Sequence, residues 1–258
     1  MKNLSDIGNI QEICRMKIIP LKEGNFSASK TKDFTLLTNE NFNTVSGIKM
    51  SVQPFLIITE NDYILLDAGI GWKNEEGQSV VMKILERENI QPEQVTKLLL
   101  SHLHKDHIDG AVKLTDNGYE ATFPNAQIYI QKRELDFAME NKGNPSFDFN
   151  ILEQLIQLPN IIWMNEDKGQ ITSEISYEVV GGHTPFMQVF WIRENEETVF
   201  YGADDLPQAS YLKYHLAYKS DFDGRKAMQL RILWESEARA DSWKILLYHD
   251  LEKAVIEV

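Results

Sequence analysis

The chain has 258 residues, 43% hydrophobic and 25% charged, enough to build one large core. Its 39 acidic residues outnumber 26 basic ones and leave a net charge of −13, with no Lys/Arg cluster to offset it, which weighs against nucleic acid as a partner. No apolar run approaches the ~20 residues of a membrane span, and Met1 to Ile7 lacks the apolar core of a signal peptide, so a cytoplasmic protein without membrane contact is expected. The single cysteine, Cys14, cannot form an internal disulfide and reads as a small, semi-buried hydrophobe.

In chain order, residues 1–15 read as an N-terminal extension and 16–258 as one catalytic domain. Met16 to Leu21 begins the first strand, Gly24 to Ser29 reads as a turn, and 30–46 as a polar connection. Lys49 to Thr59 alternates and then becomes apolar, a strand, with Tyr63 to Asp67 as its hairpin partner across Asn61-Asp62. Val80, Val81, Ile84 and Leu85 stand at helical spacing within Ser79 to Glu88. The apolar run from Val95 to Leu100 predicts a buried strand, and Ile108 to Leu114 a helix. A strand over Ala126 to Ile130 and helices over Gln131 to Asn141 and 149–157 follow. Strands are then expected over Ile171 to Val180, Met187 to Arg193, Glu197 to Tyr201 and Trp243 to Tyr248, and a helix over Lys226 to Ala240. The total is about a dozen strands and four or five helices.

The chemistry concentrates after the buried strand, in Ser101-His102-Leu103-His104-Lys105-Asp106-His107, which holds three of the six histidines. Residues two apart in an extended segment point the same way, so His102 and His104 can share one ion. If a helix starts near His107, Asp106 and His107 project from its first turn toward the same mouth. Imidazoles with a carboxylate suit Zn²⁺ and its divalent neighbours, and two pairs across a bend are more than one ion needs.

This HxHxDH stretch resembles the metallo-β-lactamase superfamily. The later ligands of that family find matches at His183 in Gly181-Gly182-His183-Thr184-Pro185, at Asp204 in Gly202-Ala203-Asp204-Asp205-Leu206-Pro207, and at His249 in Tyr248-His249-Asp250. The resemblance implies an α/β fold, a four-layer αβ/βα sandwich of two mixed β-sheets flanked by helices. It implies two zinc ions, or manganese, iron or cobalt in their place. His102, His104 and His183 would hold the first, His107 and His249 with Asp106 the second, and Asp204 would bridge them, with Asp205 as the alternative bridge. Asp67 would orient the ligand loop from behind. A metal-bridging hydroxide would then attack an ester, with Asp106 passing the proton to the leaving group. His104 stands where the flavo-diiron oxygen reductases of the superfamily carry glutamate, which disfavours redox chemistry.

Two stretches, Gly47 to Ile57 with Ile64 to Gly71 and Asp204 to Pro207 with the terminal Tyr248-His249-Asp250, look like the lactonase-type branch, which includes N-acyl-homoserine lactone lactonases and methyl-parathion-hydrolase-like enzymes. A small-molecule ester, a lactone first of all, is the substrate this implies. Phosphoester, phosphotriester or thioester hydrolysis is the alternative, or a metal-binding sensor of low turnover. Tyr211, Tyr214 and Tyr218 are candidates for a tyrosine that assists the substrate carbonyl. The branch commonly has glycine and histidine after the Thr-Pro that follows the third histidine, whereas this chain has Phe186 and Met187, which either fill the core or line an acyl pocket. The apolar helices at 80–88 and 227–238 are candidate surfaces for a homodimer.

Overall fold

The structure, a computed structural model, describes residues 16–258; the expected extension over 1–15, with Cys14, lies outside the described residues. The architecture is built outward from the strand Lys97–Leu99, which pairs in parallel with Tyr63–Leu66 on one side and Gln127–Gln131 on the other. A strand enclosed on both faces is apolar throughout. Leu98 accordingly packs with Val81 and Leu85 of the helix Val80–Arg87 and with Leu135 of the helix Lys132–Glu140, while Leu99 faces the second sheet.

Two six-stranded mixed sheets result. The first runs Lys17–Pro20, Phe55–Ile58, Tyr63–Leu66, Lys97–Leu99, Gln127–Gln131, Ile161–Met164 in spatial order. The second runs Lys168–Gln170, Ile175–Val179, Gln188–Glu194, Glu197–Tyr201, Lys244–Leu246, Val255–Glu257. The outer face of the second is covered by the long helix Gly224–Asp241, whose Trp234 packs at 4.9 Å from Phe200. Helix, sheet, sheet, helix is the four-layer order expected. The candidate residues emerge at the carboxyl ends of parallel strands: Asp67 after Leu66, His102 after Leu99, Asp204 after Tyr201 and His249 after Leu246. Open α/β sheets place their ligands at such strand ends. Among the described residues no helix is long and apolar enough to cross a membrane. The apolar stripe of Val80–Arg87 is spent on the core through Val81 and Leu85, while Ile232 and Leu233 on the long helix stay about half exposed.

Several local expectations are corrected. Gly24–Ala28 is a strand rather than a turn, held on both sides by Phe34–Leu36 and Ile48–Val52 in a separate three-stranded sheet. Its small polar residues carry no strand signal, and tertiary pairing overrides their weak preference. The expected strand over Lys49 to Thr59 is two strands, Ile48–Val52 and Phe55–Ile58, in different sheets. Pro54 has no N–H to continue a ladder, and buried Gln53 at the break instead donates to the carbonyl oxygens of Leu247 and Asp250. The helix at Lys105–Ile108 ends after one turn and a 3₁₀ turn over Asp109–Ala111; Val112–Thr115 then pairs with Gly118–Ala121 as a hairpin. The short strands at Lys168–Gln170 and Val255–Glu257 and the helix Ser210–Tyr214 were too brief for any periodicity to declare them.

Gly110 explains the abrupt helix end. Its N–H donates to the Gly69 carbonyl at 3.0 Å, and a Cβ there would stand 2.1 Å from the Ala68 carbonyl oxygen. Only glycine lets the ligand loop lie this close to the turn after Asp67. Gly110→Ala is expected to lower the stability by about 2 kcal/mol or more, read as a fall in the urea midpoint with unchanged slope.

Candidate metal centre

His102 and His104 leave the strand end in extended conformation, and His104 caps the one-turn helix that carries Asp106 and His107. His183 arrives on the loop after Ile175–Val179, Asp204 on a 3₁₀ turn after Glu197–Tyr201, and His249 just past Lys244–Leu246. Five of the chain's six histidines thus converge, and the sixth, His215, lies apart beside Glu235 at 3.6 Å.

The nitrogens sort into two groups. His104 Nδ1 lies 3.1 Å from His102 Nε2 and 3.2 Å from His183 Nε2. His107 Nε2 and His249 Nε2 lie 3.8 and 3.6 Å from Asp106 Oδ2. Asp204 stands between them with one oxygen toward each. Its Oδ2 is 3.3 Å from His183 Nε2 and 4.0 Å from His102 Nε2, and its Oδ1 is 3.3 Å from His107 Nε2 and 3.1 Å from His249 Nε2. Among the described residues, three overlapping clusters are close enough to hold an ion: His102 with His104 and His183; His102 with His107 and Asp204; and Asp106 with His107 and His249. Asp205 points elsewhere and accepts the His183 backbone N–H at 2.7 Å, so Asp204 is the carboxylate between the two groups.

The outward-facing nitrogens are already engaged. His107 Nδ1 meets Asp67 Oδ2 at 2.7 Å, His249 Nδ1 the Ser51 carbonyl at 2.7 Å, His183 Nδ1 Asp221 Oδ1 at 3.0 Å, and His102 Nδ1 Ser101 Oγ at 3.0 Å. In a neutral ring that donates outward through Nδ1 the Nε2 lone pair is aimed at the centre, although at His107 and His183 the surrounding carboxylates outweigh burial and favour the protonated ring. Among the described residues, buried His107 Nε2, His249 Nε2 and Asp204 Oδ1 have no hydrogen-bond partner. Orphaned buried acceptors are costly, and a cation among them would satisfy all three. Burial, reinforced by neighbouring imidazoles, holds His102 and His104 well below the ordinary histidine range, in the neutral form that binds metal. Burial opposes charge on Asp204, but His249, His107 and His183 outweigh it and hold that carboxyl well below the usual range.

Asp67 lies behind the loop, fully buried and in left-handed backbone at φ 55°. It accepts from the Ser101 N–H and hydroxyl, each at 2.7 Å, from His107 Nδ1, and from the Tyr201 hydroxyl at 2.5 Å. The tyrosines divide. Tyr211 and Tyr218 stack at 4.5 Å and line the cavity of about 470 Å³ over the histidines, whereas Tyr214 is 58% exposed and does not line it. The two residues after Thr184-Pro185 do not line the cavity either. Met187 is fully buried between the sheets, and Phe186 turns outward beneath the Arg133 guanidinium at 5.1 Å. Phe186 and Met187, expected in the core or in an acyl pocket, and Tyr214, a candidate to assist the carbonyl, thus lie outside the lining of this cavity.

Sequence reasoning missed Asp221 and the buried acids Glu23 and Glu134 that hold the loops, and it named Asp205 only as an alternative bridge. Glu23 accepts the N–H groups of Ile70 at 2.7 Å and Trp72 at 2.6 Å, and Glu134 accepts that of Phe186 at 3.2 Å. No periodicity marks them, because each acts on a loop distant in sequence.

A sequence model of the metallo-beta-lactamase superfamily matches residues 49–234, which include six of the seven clustered residues and all of the HxHxDH stretch. The chain belongs to the metallo-β-lactamase superfamily. No curated protein matches its sequence significantly. Among solved structures, this superfamily member is similar to a probable metal-dependent hydrolase from Staphylococcus aureus, at 18% identity and a TM-score of 0.74 over 95% of this chain and 93% of that one. It is also similar to AidC, a dizinc quorum-quenching lactonase with a homoserine product bound, at 21% identity and a TM-score of 0.67 over 95% and 90% of the two chains. A quorum-quenching N-acyl homoserine lactone lactonase follows at 19% and 0.64, with 92% of each chain covered.

Burial pushes the Glu23 carboxyl from 4.5 up to about 7, against the pull of its backbone donors. The fold therefore favours the neutral acid. Stability is fully present at low pH, where both states are protonated, and falls as pH rises from 4.5 through about 7, where the unfolded chain ionises first. Glu23→Gln is expected to flatten that fall by up to ~3 kcal/mol while costing one backbone acceptor, as measured by urea unfolding of both proteins across the window.

Proposed function

We propose that this superfamily enzyme is a dinuclear-metal hydrolase of small esters, with zinc as its metal and lactones as its substrates. The observation that carries the reading is Asp204, whose two oxygens face separate groups of inward-aimed imidazole nitrogens and leave orphaned acceptors on the inside. His102, His104 and His183 would hold one ion, and His107, His249 and Asp106 the other, with Asp204 shared. Two divalent ions so held acidify water toward neutrality and polarise a carbonyl oxygen. Two similar structures described as lactonases, one of them dizinc, support the choice of metal and ester.

The chain's own residues supply the remainder. Asp106, its carboxylate within 4 Å of two histidines and its carbonyl held at 2.7 Å by the Tyr248 hydroxyl, is placed to take a proton and return it to the leaving alkoxide. Tyr211 is kept as a phenol, its acidity suppressed by burial and by the hydrogen bond with Tyr218. In that form it can donate to the substrate carbonyl or the opened ring oxygen from the cavity wall. Asp67 fixes the His107 tautomer through Nδ1 and steadies the ligand loop through Ser101.

Ring opening releases an acid, so pH-indicator kinetics with a panel of lactones test the function directly. Zinc-loaded protein should open them, bind about two metal ions per chain, and lose turnover on chelation. Asp106→Asn should lower kcat by roughly 10²–10³-fold while retaining most of the metal. Unchanged turnover in that variant would remove Asp106 from the proton path, and no opening of any lactone would turn the search to phosphotriesters and thioesters.

A further inference from the structure

One wall of the cavity is the small three-stranded sheet, which contributes Ile48 and Met50 from one strand and Lys32 from the turn between Gly24–Ala28 and Phe34–Leu36. Lys32 is the one basic residue among those lining the cavity, which are otherwise neutral polar, apolar, or the histidines and carboxylates of the centre and its surround. In a chain with thirteen more acids than bases, a lysine would readily find a carboxylate. Yet among the described residues the Lys32 ammonium has no ion pair or hydrogen bond, although the side chain is partly buried.

The turn that presents it is built for rigidity. Ser29 Oγ accepts from the N–H groups of Thr31 and Asp33, at 3.2 and 3.1 Å. The Thr31 hydroxyl donates to Asp33 Oδ2 at 2.5 Å, and the Ser29 hydroxyl reaches the same oxygen at 3.3 Å. The nearest acid in sequence, Asp33, thus takes its hydrogen bonds from hydroxyls and makes no ion pair with Lys32. Lys32 itself adopts left-handed backbone, φ 57°, closed by a 3.1 Å bond from its N–H to the Ser29 carbonyl. That closure fixes the backbone from which the Lys32 side chain extends to the cavity wall.

We propose that Lys32 receives a carboxylate of the substrate, so that the enzyme's preferred esters carry an anionic group beyond the bond that is cleaved. The inference rests on the ester-hydrolase reading of the same cavity. The ester carbonyl lies at the histidine cluster, the connecting chain against Ile48, Met50 and Phe222, and the distal carboxylate at the ammonium. An ammonium is a compact point charge with three donors, suited to an anion on a flexible tether.

The test compares N-succinyl-homoserine lactone with its succinyl methyl ester, which differ in one negative charge, on zinc-loaded wild type, Lys32→Met, Lys32→Arg and, as a control for general charge, Lys30→Met. Wild type should prefer the acid, through KM rather than kcat; Lys32→Met should lose that preference by about tenfold, Lys32→Arg should restore most of it, and Lys30→Met should keep it. No preference in wild type, or one that survives in Lys32→Met, overturns the inference while leaving the hydrolase standing. If neither lactone is opened, the lactonase reading fails, and calorimetric binding of glutarate against butyrate decides the Lys32 assignment separately. Glutarate should bind wild type more tightly and lose about tenfold in Lys32→Met, and equal binding of glutarate to the two proteins overturns it.

Discussion

A buried carboxylate, that of Asp67, is the constraint on which the centre depends. Burying a charge is expensive unless it is met by donors, and Asp67 is met by four: two from Ser101, one from His107 and one from Tyr201. Those donors come from the ligand loop of the first sheet and from the last strand position before Asp204 in the second. One side chain therefore ties the two halves of the sandwich together directly behind the histidines. Its backbone takes the same part: the Asp67 N–H donates to the Leu99 carbonyl at 3.0 Å, and the next N–H to the His107 carbonyl at 2.7 Å. The left-handed φ is sustained because packing on every side over-determines it.

The other loops of the centre are held in a related but distinct manner. Glu23, Glu134 and Asp205 each accept backbone N–H groups from a loop that touches the site, and burial pushes each of them up to about 7. Such groups can be neutral at little cost, since backbone donors need an acceptor oxygen and not a full charge. Full charge is concentrated instead where cations would answer it, at Asp204. The division explains how a strongly acidic chain tolerates so many buried carboxyls around one cavity: most serve as hydrogen-bond acceptors for loops, and few as ions.

What the sequence made legible follows from the range of each interaction. The HxHxDH stretch is local, its spacing alone brings His102, His104, Asp106 and His107 to one mouth, and the apolar strands before His183, Asp204 and His249 mark where the later residues emerge. The buried central strand was legible because Val95 and Leu98 to Leu100 are apolar, whereas the four-layer sandwich came from the family resemblance that the motif carries. Asp221, Glu23, Glu134 and Tyr201 were not legible, since each reaches a partner more than 30 residues away and leaves no repeating pattern. Gly24–Ala28 was misread as a turn because Gly24, Asn25 and Ser27 are poor strand formers that pairing on both sides recruits nonetheless.

The departure at Phe186-Met187 bears on how the cavity acquires selectivity. Met187 is sealed between the sheets, and the chain continues at once into Gln188, whose N–H donates to the Ser101 carbonyl at 2.9 Å. Phe186 is pinned by Glu134 on its N–H and by Arg133 over its ring. This segment is committed to supporting His183 and has no side chain to offer a substrate beyond Thr184 and Pro185. The opposite wall is different in kind: Ile48 is 65% exposed on the small sheet and Phe222 is 66% exposed across the mouth from it. The clustered histidines therefore sit on rigid strand ends, whereas the small sheet and the 211–222 segment line the cavity with side chains that can change without disturbing the Asp67 scaffold.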